Sequence, residues 1–390
     1  MIMYKDRTQN TLKEKREKTK ILYFVDRMLR GGIQTFILEN MRYMDWDKIQ
    51  IDLLLLDDGK HYELEDAIAA VGATVYKLNG IWLKKPTDYF YYQSAVNTFF
   101  EKHHDYDVIH LHSSSKNWLI LYFAKKYGIK TRIAHSHNIG FQTTSKMQLL
   151  LANSFKPLLK RYATDYFACS RDAGKWLFGN EKVTVIHNAV DLDRFRFSEE
   201  KRQRQRCKLG LSDELVIGHV GRFTEQKNHS FLIDIFSCVV KRNPEAKLLL
   251  VGEGKDEEKI RDQARKLGIL NQIIFAGFCS NVEDYLSAID VFVFPSKFEG
   301  LGLVLIEAQA NGLHCFTSQD VVPSEAKVSD LLQYISLELT PMEWAEHILK
   351  SRIEHDNVEH EMIEAGYRIE DTSKYLEKFY LKHSEGKRSE

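Results

Sequence analysis

Val291 to Phe294 is apolar at every position, so as a strand it has no face to turn to water and must lie buried in a sheet. Pro295 and Ser296 break it, Gly300 and Gly302 follow, and Leu303 to Ala310 reads as a helix closed by Asn311 and Gly312. A strand, a glycine loop and a helix start aim unpaired amides and the positive end of the helix dipole beyond the strand's carboxyl edge, where a phosphate fits. Glu299 in the loop and Glu307 in the helix could hold sugar hydroxyls, Glu299 those of a group beyond the phosphates and Glu307 those of a ribose before them. The bland alternative is a glutamate that only complements the dipole, at a junction any α/β protein contains.

The rest of the chain repeats this unit. In the first half, segments 20–25, 50–56, 74–78, 108–111 and 131–134 read as strands, with helical patterns at 33–43, 62–71, 89–102 and 118–127 between them. In the second half, strands at 215–220, 247–251 and 273–275 alternate with helices at 229–241, 257–267 and 282–288. Such alternation gives a parallel sheet covered on both faces. A length of 390 residues exceeds one ordinary core, so two doubly wound domains are expected.

Lys and Arg number 55 against 55 Asp and Glu, and this zero balance argues against a general nucleic-acid binder. Cys169, Cys207, Cys238, Cys279 and Cys315 are far apart and form no Cys-x-x-Cys pair, which fits reduced thiols in the cytosol. Met1 to Lys20 is polar and basic, and no apolar run is long enough to span a bilayer, so a cytoplasmic protein is expected.

Several further stretches carry chemistry. Gly31-Gly32 sits between a strand and a helix, as an anion-binding loop or a tight turn; the dinucleotide spacing Gly-x-Gly-x-x-Gly is missing. His110, His112, His135 and His137 end two strands, and alternation puts each pair on one face. A four-histidine metal site is conceivable, but no carboxylate lies nearby in sequence, and carboxyl ends of parallel strands favour a ligand-facing role. Val108 to Thr164 contains no Asp or Glu, yet holds Lys116, Lys125, Lys126, Lys130, Arg132, Lys146, Lys156, Lys160 and Arg161. With the apolar run around Leu149 to Leu151 this suits an anionic membrane surface, or else a core helix with solvated lysines. Arg222 and Lys227 both follow the strand ending at Val220 and can clamp one diphosphate, supplying charge that a divalent metal would otherwise bring. Asp191-x-Asp193 follows an Asn-Ala-Val turn and is not expected to chelate.

Val220-Gly-Arg-Phe with Lys227, Val251-Gly-Glu-Gly, Val185-Ile-His-Asn-Ala-Val-Asp, and Pro295-Ser-Lys-Phe-Glu-Gly through Glu307 together resemble the family-4 retaining glycosyltransferases of bacterial capsule and exopolysaccharide assembly. The resemblance covers nearly all of the chain from Lys20. It implies the GT-B fold: a Rossmann-like acceptor-side domain over 1–189, a Rossmann-like nucleotide-sugar domain over 190–366, and a helix over 367–390 returning to the first domain. It implies that Arg222 and Lys227 hold the donor diphosphate, Glu299 contacts the transferred sugar and Glu307 the ribose. By the same token Gly302 and Leu303 belong to the donor loop, Gly32 backs the phosphates, Phe278 borders the base, and His135 lies beside the anomeric carbon. Asn311-Gly312-Leu313-His314 departs from the small-Gly-x-Pro turn usual in the family, and Asn188-Ala189 from the commoner Asn-Gly.

The expected activity is therefore transfer of a sugar, with retention, from a nucleoside-diphosphate donor, UDP before GDP, to a hydroxyl of a lipid-linked glycan. No metal and no cofactor are expected, and the site of action would be the inner face of the plasma membrane. A GT-B nucleotide-sugar epimerase, or an inactive scaffold serving a partner transferase, are the alternatives.

Overall fold

In a computed structural model, residues 18–29, 31–78, 88–141 and 145–385 are described. The basic lead-in to residue 17 lies outside them, and so does the stretch beyond 385.

The chain opens with β1 (Thr19–Val25), α1 (Gly32–Arg42), β2 (Ile49–Leu56), α2 (Glu63–Ala70) and β3 (Val75–Leu78). It continues through α3 (Asp88–Lys102), β4 (Val108–Leu111), α4 (Trp118–Lys126), β5 (Thr131–Ser136), α5 (Lys146–Tyr162), β6 (Asp165–Ala168), α6 (Arg171–Phe178) and β7 (Thr184–Val185). These seven strands form one parallel sheet in the order β3-β2-β1-β4-β5-β6-β7. β1 is apolar on both faces: Leu22 and Phe24 enter one core, Ile21, Tyr23 and Val25 the other. An unbroken apolar run therefore means a central strand covered twice, as 20–25 suggested.

Two short helices, α7 (Leu192–Phe195) and α8 (Glu199–Leu209), carry the chain across. The charged segment from Ser198 is a helix tied to the second domain: Arg206 is buried, and both Arg202 and Arg206 pair with Asp290. The second sheet is built from β8 (Val216–Val220), α9 (His229–Arg242), β9 (Lys247–Val251), α10 (Glu257–Lys266), β10 (Ile273–Gly277), α11 (Val282–Ala288), β11 (Val291–Phe294), α12 (Leu303–Ala310), β12 (His314–Ser318) and β13 (Leu332–Ile335). Its parallel order is β10-β9-β8-β11-β12-β13. α13 (Pro341–Leu349) and α14 (Glu359–Glu364) follow, and α15 (Ile369–Glu385) closes the described chain.

α15 leaves the second sheet and packs on the first, where Leu376 and Tyr380 complete the core around Tyr23 and Met41. Outbound and returning segments run side by side: Val190 N donates to Tyr367 O at 2.9 Å, and Ile369 N to Val190 O at 3.1 Å. In each sheet the strand order reverses once, between β1 and β4 and between β8 and β11. Loops diverge at such a point and leave a crevice at the strands' carboxyl ends. Gly31-Gly32, the histidines, Arg222, Lys227 and Glu299 all lie on loops or strand ends at these crevices.

Candidate active site

After β8 the backbone turns through Gly221, and Gly252 lies against it with φ of 134°. A Cβ on Gly252 would fall 2.2 Å from Gly221 O, so only glycine lets these two loops meet. Arg222 is exposed on this loop, and a 3-10 turn, Glu225–Lys227, presents Lys227. Lys227 Nζ donates to Glu299 Oε1 at 2.6 Å and sits 4.4 Å from the Phe294 ring centre, with the two charged side chains 17% and 7% exposed. Burial lowers the Lys227 pKa, and Glu299 opposes that shift. The loops are stitched further by Lys297 N donating to Gln226 O at 2.8 Å and Gln226 Nε2 to Phe298 O at 2.9 Å. Two residues 72 positions apart, matched in sequence to a diphosphate and to a sugar, are thus held as one ion pair.

Gly302 precedes α12 in the left-handed region, with φ of 75°, so that Leu303 opens the helix facing the same crevice. Glu307, one turn further on, is half-buried and its carboxyl is pushed up to about 7 by burial, with Arg194 countering. Arg194 Nε meets Glu283 Oε1 at 3.0 Å, and its Nη1 lies 3.6 Å from Glu39 Oε1 on α1 of the first domain. Arg194, Glu283 and Glu39 went unread in the sequence, because they come from three separate helices and carry no local motif. Phe278 is 47% exposed, and its amide donates to Glu253 Oε1 at 3.3 Å.

The first-domain wall is a stack of imidazoles. His110 and His112 lie ring on ring at 4.0 Å, as do His135 and His137. Close pairs link the two strands, His110 Nε2 with His135 Nδ1 at 3.0 Å and His112 Nδ1 with His137 Nε2 at 3.0 Å. His110 Nδ1 bonds the Tyr380 hydroxyl at 2.7 Å, which meets Tyr23 Oη at 2.7 Å. Phe36 of α1 stands edge-on over His135 and His137. Burial holds all four pKa values below the ordinary one, His137 at about 3, so the rings are neutral.

His135 has no accessible surface, and in this conformation its side chain cannot touch a sugar; β5 runs two residues past Ala134 and carries His135 inside the sheet. His137, just beyond the strand, is the partly exposed member. Gly32 faces Asn188, whose Nδ2 would lie 3.9 Å from a Cβ there. Asp191 does not gather with Asp193: it caps α7 through Arg194 N at 2.9 Å and accepts from the Tyr43 hydroxyl at 2.6 Å, while Asp193 turns to Arg196.

The cations of 108–164 are largely engaged. Lys116 pairs with Asp26 and Lys160 with Glu181, Lys156 donates to Trp176 O, and Arg132 to the carbonyls of Ile129, Lys130 and Tyr162. Lys146 and Arg161 are exposed, as is Leu150 on the same helix. No helix among the described residues is long and apolar enough to cross a membrane.

The model of the family described as Glycosyltransferase Family 4 matches residues 30–194, and that described as Glycosyl transferases group 1 matches 201–369. A putative glycosyltransferase, EpsF of Bacillus subtilis, is 31% identical over 343 residues, covering 85% of this chain and 87% of its own. The UDP-Gal:alpha-D-GlcNAc-diphosphoundecaprenol alpha-1,3-galactosyltransferase of Escherichia coli is 24% identical, covering 79% and 81%. The crystal structure of Anabaena HepE in complex with UDP and glucose superposes with a TM-score of 0.68 at 18% identity, covering 95% of this chain and 98% of that one.

Proposed function

The chain belongs to the group 1 and family 4 glycosyltransferases, with their GT-B architecture, and we propose that it moves a sugar with retention from a UDP-linked donor to a lipid-linked glycan in cell-surface polysaccharide synthesis. The observation that carries this reading is the Lys227–Glu299 pair at the carboxyl edge of the second sheet. A donor entering there would exchange Glu299 for its own phosphates as the partner of Lys227. Glu299 would then be free to accept from hydroxyls of the transferred sugar. One side chain neutralises the leaving diphosphate while the other orients the sugar, and each is released by the same binding event.

Arg222 stands exposed on the same loop and would add a second cation to the diphosphate, with the Gly302 and Leu303 amides completing the cradle. Gly32 would back the phosphates from the first domain. Glu307 would take the ribose hydroxyls and Phe278 would border the base, which fits a donor with UDP at that end, as the Escherichia coli relative uses and HepE binds. No side chain beside Glu299 is an evident covalent nucleophile, so the acceptor hydroxyl would attack on the face from which the diphosphate departs, and the phosphate would take its proton. The histidine next to the anomeric carbon would be His137, with His135 behind it as a positioning residue.

The acceptor would be met at the inner face of the plasma membrane. Tyr89 packs on Phe155 at 5.2 Å and brings the start of α3, with exposed Phe90 and Tyr91, up to α5 with its exposed Leu150, Lys146 and Arg161. Apolar side chains beside cations suit an anionic lipid surface.

UDP release from a panel of UDP-sugars, measured with and without a lipid-linked acceptor, tests the reading. Acceptor-dependent release that continues in EDTA, with the α-linkage of the donor kept in the product, is expected. Turnover without acceptor, or an inverted product, would overturn it.

A further inference from the structure

We propose, resting on the proposed function, that Arg194 is a positioning residue: it couples nucleotide binding in the second domain to the approach of the first domain onto the donor. Arg194 sits on α7, a single turn of helix pinned between two helices that bear donor residues. Asp191 caps α7 and accepts from the hydroxyl of Tyr43, just past the end of α1, at 2.6 Å. Phe195 O accepts from Asn311 Nδ2, just past the end of α12, at 2.8 Å. α1 opens at Gly32, and α12 carries Glu307.

The guanidinium reaches a third element. Its Nε lies 3.0 Å from Glu283 Oε1 and its Nη2 3.1 Å from Glu283 Oε2, a two-pronged grip on a carboxylate in the first turn of α11. Nη2 also donates to Ser280 O at 3.3 Å, in the loop that runs from Phe278 to α11. These bonds fix Arg194 to the second domain, on the loop assigned to the base. The arm to the first domain is looser. Nη1 stands 3.6 Å from Glu39 Oε1 on α1, beyond ordinary hydrogen-bond length, and Arg42 Nη1 donates to that same oxygen at 2.8 Å.

One donor would span all three elements, with its phosphates on Gly32 and its ribose and base at Glu307 and Phe278. When it binds, the Glu39 arm shortens to a direct hydrogen bond. The guanidinium that steadies the base loop then also holds α1, and with it Gly32, against the phosphates. Glu39, Glu283 and Glu307 all act on the charge of Arg194, which counters the burial of Glu307. A neutral side chain in its place would leave these carboxylates to repel one another and would loosen the ribose contact and the domain contact together.

The test measures UDP affinity by calorimetry on the full chain, for Arg194→Gln, Glu39→Gln and the double variant. Arg194→Gln should weaken UDP about 10-fold and Glu39→Gln, on the other domain, about 3-fold, as changes along a coupled contact do. The double variant should bind no more weakly than Arg194→Gln alone, because Glu39 acts only through Arg194. Arg194→Lys keeps the charge without the two-pronged grip and should fall between Arg194→Gln and the parent. Arg196→Gln, whose side chain pairs with Asp193 and Glu359, should bind as the parent does. Glu39→Gln that melts lower but binds UDP as the parent does would make the contact a plain strut and overturn the coupling. So would a double variant whose loss is the product of the two single losses. Should Arg194→Gln fail to fold, Glu283→Gln frees the same guanidinium and takes its place in the comparison. A parent that binds no UDP overturns the proposed function and the coupling with it; a parent and variants that bind UDP equally overturn the coupling alone.

Discussion

Lys227 keeps its charge at a cost in desolvation that Glu299 offsets, and this makes it the side chain whose loss should be felt most. Lys227→Ala should lower transfer by at least ~10²-fold, as removal of a charged transition-state donor does. Full activity in the variant, or activity of the parent that disappears in EDTA and returns with magnesium, would assign the diphosphate charge elsewhere. Glu307 gives a pH signature. Its folded-state pKa of about 7 stands above the ordinary 4.5, so the proton taken up on folding favours the folded chain below about pH 4.5, and that contribution is lost as pH rises through about 7. Glu307→Gln cannot ionise and escapes the loss. The unliganded variant should therefore melt above the parent at pH 8 and level with it at pH 5, while its affinity for UDP falls. Parallel melting curves across that range would mean that Glu307 is not the strained group. Both positions were legible in the sequence, Lys227 on the loop after a strand and Glu307 in the helix that follows a glycine loop. Their environments were not: the partner of Lys227 lies 72 residues away, and Arg194 reaches Glu283 and Glu39 only through the fold.

At the level of strands and helices, legibility followed the apolar pattern. β1, β4, β8, β9 and β11 are unbroken apolar runs or nearly so, and the sequence locates them to within a residue or two. β12 (His-Cys-Phe-Thr-Ser) and β13 (Leu-Gln-Tyr-Ile) carry polar positions that break the apolar pattern, and one of these can be buried with a partner: Thr317 Oγ1 donates to Phe294 O at 2.9 Å. β5 is longer than its apolar core for the same reason, and this moves His135 indoors. His135→Ala would strip His110 Nε2 of its partner, a cost of about 1–3 kcal/mol before any cavity is counted. It should lower the melting temperature by several degrees, whereas His137→Ala should melt near the parent and transfer slowly. The reverse ranking would put the sugar against His135. α5 permits a cleaner test than its cation count suggested, since Lys156 and Lys160 are bound internally. Changing Leu150, Lys146 and Arg161 to Glu should release the protein from anionic vesicles in co-sedimentation, and the parent should fail to sediment with neutral ones. Equal sedimentation of parent and variant would leave α5 an ordinary surface helix.

Across the whole molecule, the first domain is not made from one continuous stretch. Leu376 and Tyr380 of α15 fill its core, Ser373 bonds Asn40, and Thr19 at the start of β1 meets Ser384 near the other end, at 2.7 Å. The sequence suggested a returning helix through resemblance alone, since nothing in the amphipathic pattern of α15 says which sheet it covers. A chain stopped before Ile369 should bind an apolar dye and lose its cooperative melt in the first domain, with transfer abolished; a melt matching the parent would show the helix to be dispensable. The same closure orders events on the ribosome. Residues 216 to 335 carry every strand of the second sheet, so that sheet can form as soon as it emerges. The domain synthesised first must wait, with α1 and α2 covering only part of the Tyr23 side of its sheet, until residue 380 has cleared the exit tunnel. Between residues 335 and 380, about 2–9 s at ordinary elongation rates, the nascent chain would carry a finished second sheet beside an unfinished first domain, and that is when a chaperone would have most to cover.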